Sequence, residues 1–108
     1  PAHIELADWA DVALIAPATA HTIGKLASGI ASGLLCETFL ALPQDTTRII
    51  APAMNGHMLS QPSVKRNMEQ LELDGFEIIS PRTGELACGY DGDGKMTSIA
   101  TIIERLID

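Results

Sequence analysis

The sequence predicts an α/β domain built as a doubly wound parallel sheet. Three observations carry this. Short runs of strand character at 12–16, 48–51 and 76–80 each end at a proline: Pro17, Pro52 and Pro81. Helix-patterned stretches separate the runs, giving the order α-β-α-β-α-β-loop-α. Strands alternating with helices have to pair in parallel, because each crossover returns the chain to the same edge, and the helices then cover both faces. In such sheets ligands bind beyond the carboxyl ends of the strands. The segments Ala16-Pro17-Ala18-Thr19-Ala20-His21-Thr22, Ala51-Pro52-Ala53-Met54-Asn55-Gly56-His57-Met58 and Leu86-Ala87-Cys88-Gly89-Tyr90-Asp91-Gly92-Asp93-Gly94-Lys95-Met96 all come after strand ends and are expected along one edge.

Each element has its own grounds. Residues 3–9 read as a short helix carrying Glu5 and Asp8. The apolar run 12–16 has the length of a strand buried on both faces. Residues 21–35 read as one helix rich in Gly, Ala and Ser; its glycines cost helix stability and suggest that another backbone or a flat ligand packs very close. Residues 36–42 extend that helix or begin another. The second strand, 48–51, is also expected to be buried. Pro62 suits the first turn of a helix that continues over 64–73 and ends at Asp74-Gly75. After the third strand comes the cysteine-containing loop, whose spaced glycines allow repeated turning and close approach to a ligand. A closing helix over 97–107 puts Ile99, Ile102, Ile103 and Leu106 on one stripe, with Thr97 or Ser98 as its N-cap.

The 108 residues allow one small domain, and the helical start at 3–9 reads as the middle of a domain. The chain is therefore expected to be a single partial domain, 1–108, with a first strand and its crossover helix preceding Pro1. With 4% aromatic residues the core is aliphatic. Fourteen acids against seven bases give a net charge of −7. That balance argues against nucleic acid and anionic membranes as main partners, while leaving room for a local phosphate site made of backbone amides. No apolar run approaches the roughly 20 residues needed to span a bilayer, and the start lacks the pattern of a signal peptide. A reducing cytoplasm with free thiols at Cys36 and Cys88 is the expected setting.

Several residues could carry chemistry, and each also has a plain reading. Thr19, Ala20, His21 and Thr22 lie between a strand and a helix, where amides and hydroxyls bind anions or simply cap the helix. Asn55 suits a turn after a strand. His3 could be a solvated histidine. Cys36, in an aliphatic stretch, reads as structural, whereas Cys88 sits in a polar, glycine-flanked setting. His57 is expected to face solvent, and Met54, Met58 and Met68 to fill core or interface. The histidines and cysteines show no metal-ligand spacing.

The order of the pieces is more specific than any one of them. His-Ile-Glu-Leu at 3–6, Ala-Pro-Ala-Thr-Ala-His-Thr at 16–22, Pro-Ala-Met-Asn-Gly-His-Met at 52–58 and Ala-Cys-Gly-Tyr-Asp-Gly-Asp-Gly-Lys-Met at 87–96 resemble the phosphopantothenoylcysteine decarboxylases. These belong to the homo-oligomeric flavin-containing cysteine decarboxylases. The resemblance covers nearly all of the chain and the latter part of the family domain. It implies a Rossmann-like three-layer αβα flavoprotein whose N-terminal strands are absent here. It also implies FMN at a subunit interface of a homotrimer, or of a homododecamer built from trimers. By the same resemblance, Thr19, Ala20, His21, Thr22 and Ala53 contact the flavin. Asn55 holds the substrate carboxylate, His3 is the active-site base, and Cys88 is the proton donor on a flap. Glu85, Ala87 and Met96 contact substrate.

The implied reaction is decarboxylation of 4′-phosphopantothenoylcysteine to 4′-phosphopantetheine in coenzyme A biosynthesis. Loss of CO2 from an acylated cysteine leaves a carbanion with no electron sink. Oxidation of the side chain to a thioaldehyde, with hydride passing to the flavin, supplies one; an ene-thiol results and is then reduced. An imidazole, which ionises near neutrality, suits removal of the thiol proton. Peptidyl-cysteine decarboxylases stop at the ene-thiol and do not need the flap cysteine, so Cys88 favours the coenzyme A enzyme. Two positions depart from the family pattern: His21 stands where Asn is usual, and Leu59 where Trp is usual. Alternative readings are a non-catalytic regulatory subunit of the same fold, a peptidyl-cysteine (lantibiotic) decarboxylase, or a flavin prenyltransferase. The joint presence of His3, Asn55 and Cys88, without a long acidic tail, argues for the enzyme. With no linker after the closing helix, a standalone decarboxylase is favoured over fusion to a downstream ligase.

Overall fold

The computed structural model describes residues 1–83 and 93–107. Its elements are α1 (Ala2–Trp9), β1 (Val12–Ala18), α2 (Ala20–Ser28), α3 (Leu34–Ala41), β2 (Thr47–Pro52), α4 (Gly56–Leu59), α5 (Pro62–Leu73), β3 (Phe76–Ile78), β4 (Arg82–Thr83), β5 (Asp93–Lys95) and α6 (Ile99–Ile107). Strands β1, β2 and β3 form a parallel sheet in that order, and β4 and β5 form a separate antiparallel ribbon.

Register fixes the faces of the sheet. Arg48 lies opposite Phe76 and Ile50 opposite Ile78, while Ile49 lies opposite Glu77. Side chains alternate along a strand, so Arg48, Ile50, Phe76 and Ile78 share one face and Ile49 and Glu77 the other. On the first face the Phe39 ring of α3 stacks on Phe76 with centroids 6.1 Å apart. Ile23 and Leu26 of α2, Cys36 of α3 and Leu71 of α5 join Ala13, Ile15 and Ile50 in one core cluster. On the second face, Arg105 of α6 pairs with Glu77. Helices thus cover both faces, as alternation of strands and helices requires.

The strands differ in burial. β2, with neighbours on either side, is buried from Arg48 to Pro52. The apolar run of β1 predicts burial on both faces. Instead the strand alternates, with Ala13 and Ile15 buried and Val12 43% exposed, because within the described residues it is an edge strand. Nor does it stop before Pro17. Three steps along β1, from Ile15 to Ala18, match two along β2, from Ile50 to Pro52. This is a bulge, the place where a residue without an N–H fits a strand.

The long helix expected over 21–35 is two helices. Gly29 takes the left-handed conformation (φ 71°, ψ 29°) and the Ile30 N–H returns to the Lys25 carbonyl at 2.9 Å, which terminates α2. Residues 36–42 therefore belong to a new helix, α3, which begins after Gly33 (φ 87°). Among the described residues of this chain, no other backbone packs close on these glycines. A methyl group at Gly29 or Gly33 would meet open space, and at Gly24 only an ordinary contact with Asn67. Pro62 opens α5 and Asp74 closes it, as expected. Ser98 caps α6 through its hydroxyl, which accepts from the Thr101 N–H at 3.1 Å. Of the α6 stripe only Ile102 is buried; Ile99 and Ile103 are 68% and 50% exposed.

Arg48 ties the amino ends of the strands to the end of α3. Its guanidinium is buried, donates to the carbonyls of Leu42 (3.4 Å) and Pro43 (3.0 Å), and sits over the Phe76 ring. A buried cation bonded to helix-end carbonyls is worth more than an exposed ion pair. Arg48→Ala is expected to lower unfolding free energy by about 2 kcal/mol. Arg105→Ala, which removes a partly exposed pair, is expected to cost under about 1 kcal/mol. Urea unfolding of both variants checks the order.

Candidate active site

The site begins with backbone. Beyond the bulge, Ala18 lies opposite Pro52, and the Ala53 N–H donates to the Ala18 carbonyl at 3.0 Å. The segments leaving the two strands therefore start side by side. Thr19 is the N-cap of α2: its hydroxyl accepts from the Thr22 N–H at 3.2 Å and lies 3.3 Å from the Thr22 hydroxyl. Capping, the plain reading of this threonine, is realised. The amides of Ala20 and His21 precede the first intrahelical bond, from the Ile23 N–H to the Thr19 carbonyl, so they remain open to a ligand. His21 is exposed, and Thr22 and Ala20 are half-buried.

After β2, Ala53 and Met54 are half-buried and Asn55 is exposed. Asn55 is more than a turn residue. It is the N-cap of α4, a short helix that sequence reasoning missed, and its Oδ1 accepts from the Met58 N–H at 2.9 Å. The cap fixes which end of the carboxamide is spent. The acceptor oxygen faces the helix, leaving both Nδ2 hydrogens to donate elsewhere. An Asn directly after a strand end, a preferred N-cap residue, is the available signal for this helix.

The ribbon closes the arrangement from the other side. The Met54 N–H donates to the Gly94 carbonyl of β5 at 2.8 Å. Arg82 of β4 lies opposite Lys95, and its Nε donates to the Met96 carbonyl at 2.9 Å. The structure thus brings together Thr19–Thr22, Ala53, Asn55 and the strand leading to Met96. It does not join His3 to them: His3 is half-buried on α1, a helix that packs against α3. Glu85, Ala87 and Cys88 lie outside the described residues. His57 is exposed, Cys36 is buried in the core, and Met54 and Met68 pack against that core, whereas Met58 is 44% exposed.

Elsewhere, a cleft of about 410 Å³ lies by Arg48, Leu73 and Phe76, at the amino ends of β2 and β3 and so away from these groups. Among the described residues no three His, Cys, Asp or Glu side chains stand close enough to hold a metal ion, and no helix is long and apolar enough to cross a membrane.

Sequence comparison decides the family. The family described as Flavoprotein matches residues 1–108. The chain belongs to that family. Within it, the chain is 50% identical over 102 residues to the coenzyme A biosynthesis bifunctional protein CoaBC of Bacillus subtilis (strain 168), covering 94% of this chain and 25% of that protein. It is 45% identical over 105 residues to a cysteine/cysteine sulfinic acid decarboxylase from an unknown prokaryotic organism, covering 97% of this chain and 29% of that one. Among solved structures, a cysteine-to-serine mutant of PPC decarboxylase complexed with pantothenoylaminoethenethiol superposes with a TM-score of 0.91 at 37% identity. That match covers 98% of this chain and 58% of the other. The chain therefore spans between a quarter and about three-fifths of the length of these relatives. The Rossmann-like flavoprotein fold expected from the motifs is the fold observed.

Proposed function

We propose that this chain forms part of an FMN-dependent decarboxylase acting on 4′-phosphopantothenoylcysteine. The observation that carries the reading is the capped Asn55, whose Nδ2 is left free to donate at the strand edge. Similarity to a PPC decarboxylase complexed with pantothenoylaminoethenethiol, and to CoaBC, supports the substrate class.

The residues present suit a flavin. Ala16, Ala20 and Ala53 place only methyl groups at the accessible strand ends, leaving room for a flat ring. The hydroxyl of Thr22 and the open amides of Ala20 and His21 supply hydrogen bonds beside it. When bound, FMN supplies the two-electron acceptor that converts the substrate's CH2–SH into an electron sink. The chain's own residues do the rest. Asn55 holds the carboxylate through Nδ2 and orients the bond to be broken. His3, reaching the substrate within an oligomer of this chain, accepts the thiol proton at an imidazole nitrogen. Once a hydride from the CH2–SH carbon had passed to a bound flavin, CO2 could leave, and Cys88 would supply the proton when that hydride returned to give the product thiol. Met96, Glu85 and Ala87 complete the substrate contacts. A homotrimer or larger assembly and a cytoplasmic setting belong to the same reading.

One relative favours a second reading. The 45% identity to a cysteine/cysteine sulfinic acid decarboxylase makes free cysteine an alternative substrate. CO2 release from phosphopantothenoylcysteine, cysteine and a C-terminal cysteine peptide, measured side by side, separates the possibilities; preference for the first is expected.

Three variants test the residue roles. Asn55→Asp keeps an acceptor for the cap and loses the Nδ2 donors. The melting temperature and flavin content are expected to hold, while kcat/KM falls about 100-fold or more as a carboxylate repels a carboxylate. His3→Asn is expected to abolish bleaching of the visible flavin absorbance by substrate; persistent bleaching removes His3 as the base. Cys88→Ser is expected to bleach but to yield no phosphopantetheine by mass spectrometry, and full-rate product formation removes Cys88 as the donor.

A further inference from the structure

We infer that Gly94 is a positioning residue for Asn55, acting through the Met54 backbone. The inference rests on the decarboxylase reading only for its kinetic readout. Gly94 is buried and has φ +151°, a conformation that L side chains rarely adopt. A Cβ placed there would lie 1.5 Å from the Met54 carbonyl oxygen, 2.7 Å from its carbon and 3.3 Å from the Asn55 carbonyl carbon. These are backbone atoms, so no rotamer change relieves the overlap. In the same contact the Met54 N–H donates to the Gly94 carbonyl at 2.8 Å. Met54 is thus clasped at both of its backbone polar groups: its N–H is bonded to Gly94, and its carbonyl is packed on the bare Gly94 Cα.

The clasp bears directly on Asn55, the neighbour of Met54 in the chain, whose side-chain amide is oriented by the cap on Met58. The strand that holds Met54 continues to Met96, whose carbonyl is bonded to Arg82. One glycine therefore sets the distance between the Asn55 turn and the ribbon that carries Met96. Any side chain at 94 pushes the two apart by more than an ångström, enough at a substrate-orienting amide to cost about 100-fold in rate.

The test is Gly94→Ala in the flavin-loaded protein. Circular dichroism and flavin absorbance should stay near those of the wild type. The Met54 amide, read by hydrogen exchange, should lose protection by about tenfold or more as its acceptor moves away. With phosphopantothenoylcysteine, kcat/KM should fall about 100-fold. A folded variant with kcat/KM within about twofold of the wild type, against that 100-fold expectation, or with an unchanged Met54 amide, overturns the inference. If the wild type itself does not turn over this substrate, the decarboxylase reading fails on its own, and the Met54 amide alone decides about Gly94. If the variant does not accumulate as folded protein, exchange in the wild type decides. Protection of Met54 comparable to Ile50 supports the clasp, and exchange at the rate of an open loop overturns it.

Discussion

Parallel pairing of β1 with β2 is the constraint on which the rest of this molecule depends. It runs in strict register from Val12 opposite Thr47 to Ile15 opposite Ile50, then resumes at Ala18 opposite Pro52. Two strands running the same way end at the same edge, so Thr19 and Ala53 emerge together. The bulge at Pro17 restores alignment after a residue that cannot donate to the ladder. Burial enforces the register. Ile15 and Ile50 sit in the core with Ile23 and Leu26, and each such side chain contributes about 1.5–3 kcal/mol when removed from water. A slip of one residue would turn that set outward.

The edge is then fastened mainly by backbone. Ala53 bonds to Ala18 and Met54 to Gly94, while the Arg82 side chain reaches a main-chain carbonyl. Main-chain fastening leaves the polar side chains free or half free. Thr19 is spent on its cap, but Asn55 spends only Oδ1. The chain is acidic overall, so an anionic ligand gains little from its net charge. The open amides of Ala20 and His21 in the first turn of α2 are the groups able to attract an anion, and they keep that strength only if they do not move.

The fastening of α3 and the proposed site occupy opposite ends of the sheet. Arg48, Phe39 and Phe76 bind α3 to the amino ends of β2 and β3. The carboxyl ends carry small residues and turns. Such a division lets the site be built from short, polar segments without weakening the core beneath it.

Local chemistry alone specifies the strand count of the main sheet, its parallel sense, the edge where the unusual segments gather, and the caps of α5 and α6. Period, proline and capping act within a few residues, so they can be read directly from the chain. The Flavoprotein assignment was legible from the order of four short motifs. Long-range packing settles the points that local rules leave open. Gly29 and Gly33 could mark close packing or a helix break, and only the positive φ at each shows a break. Pro17 could end a strand or sit in a bulge, and the partner strand made the choice. Asn55 could be a turn or a cap, and the Met58 amide made that choice. Gly94 could be one flexible loop residue among several; it is the place where two backbones meet, because residues 40 apart in sequence meet only once the sheet and ribbon have formed.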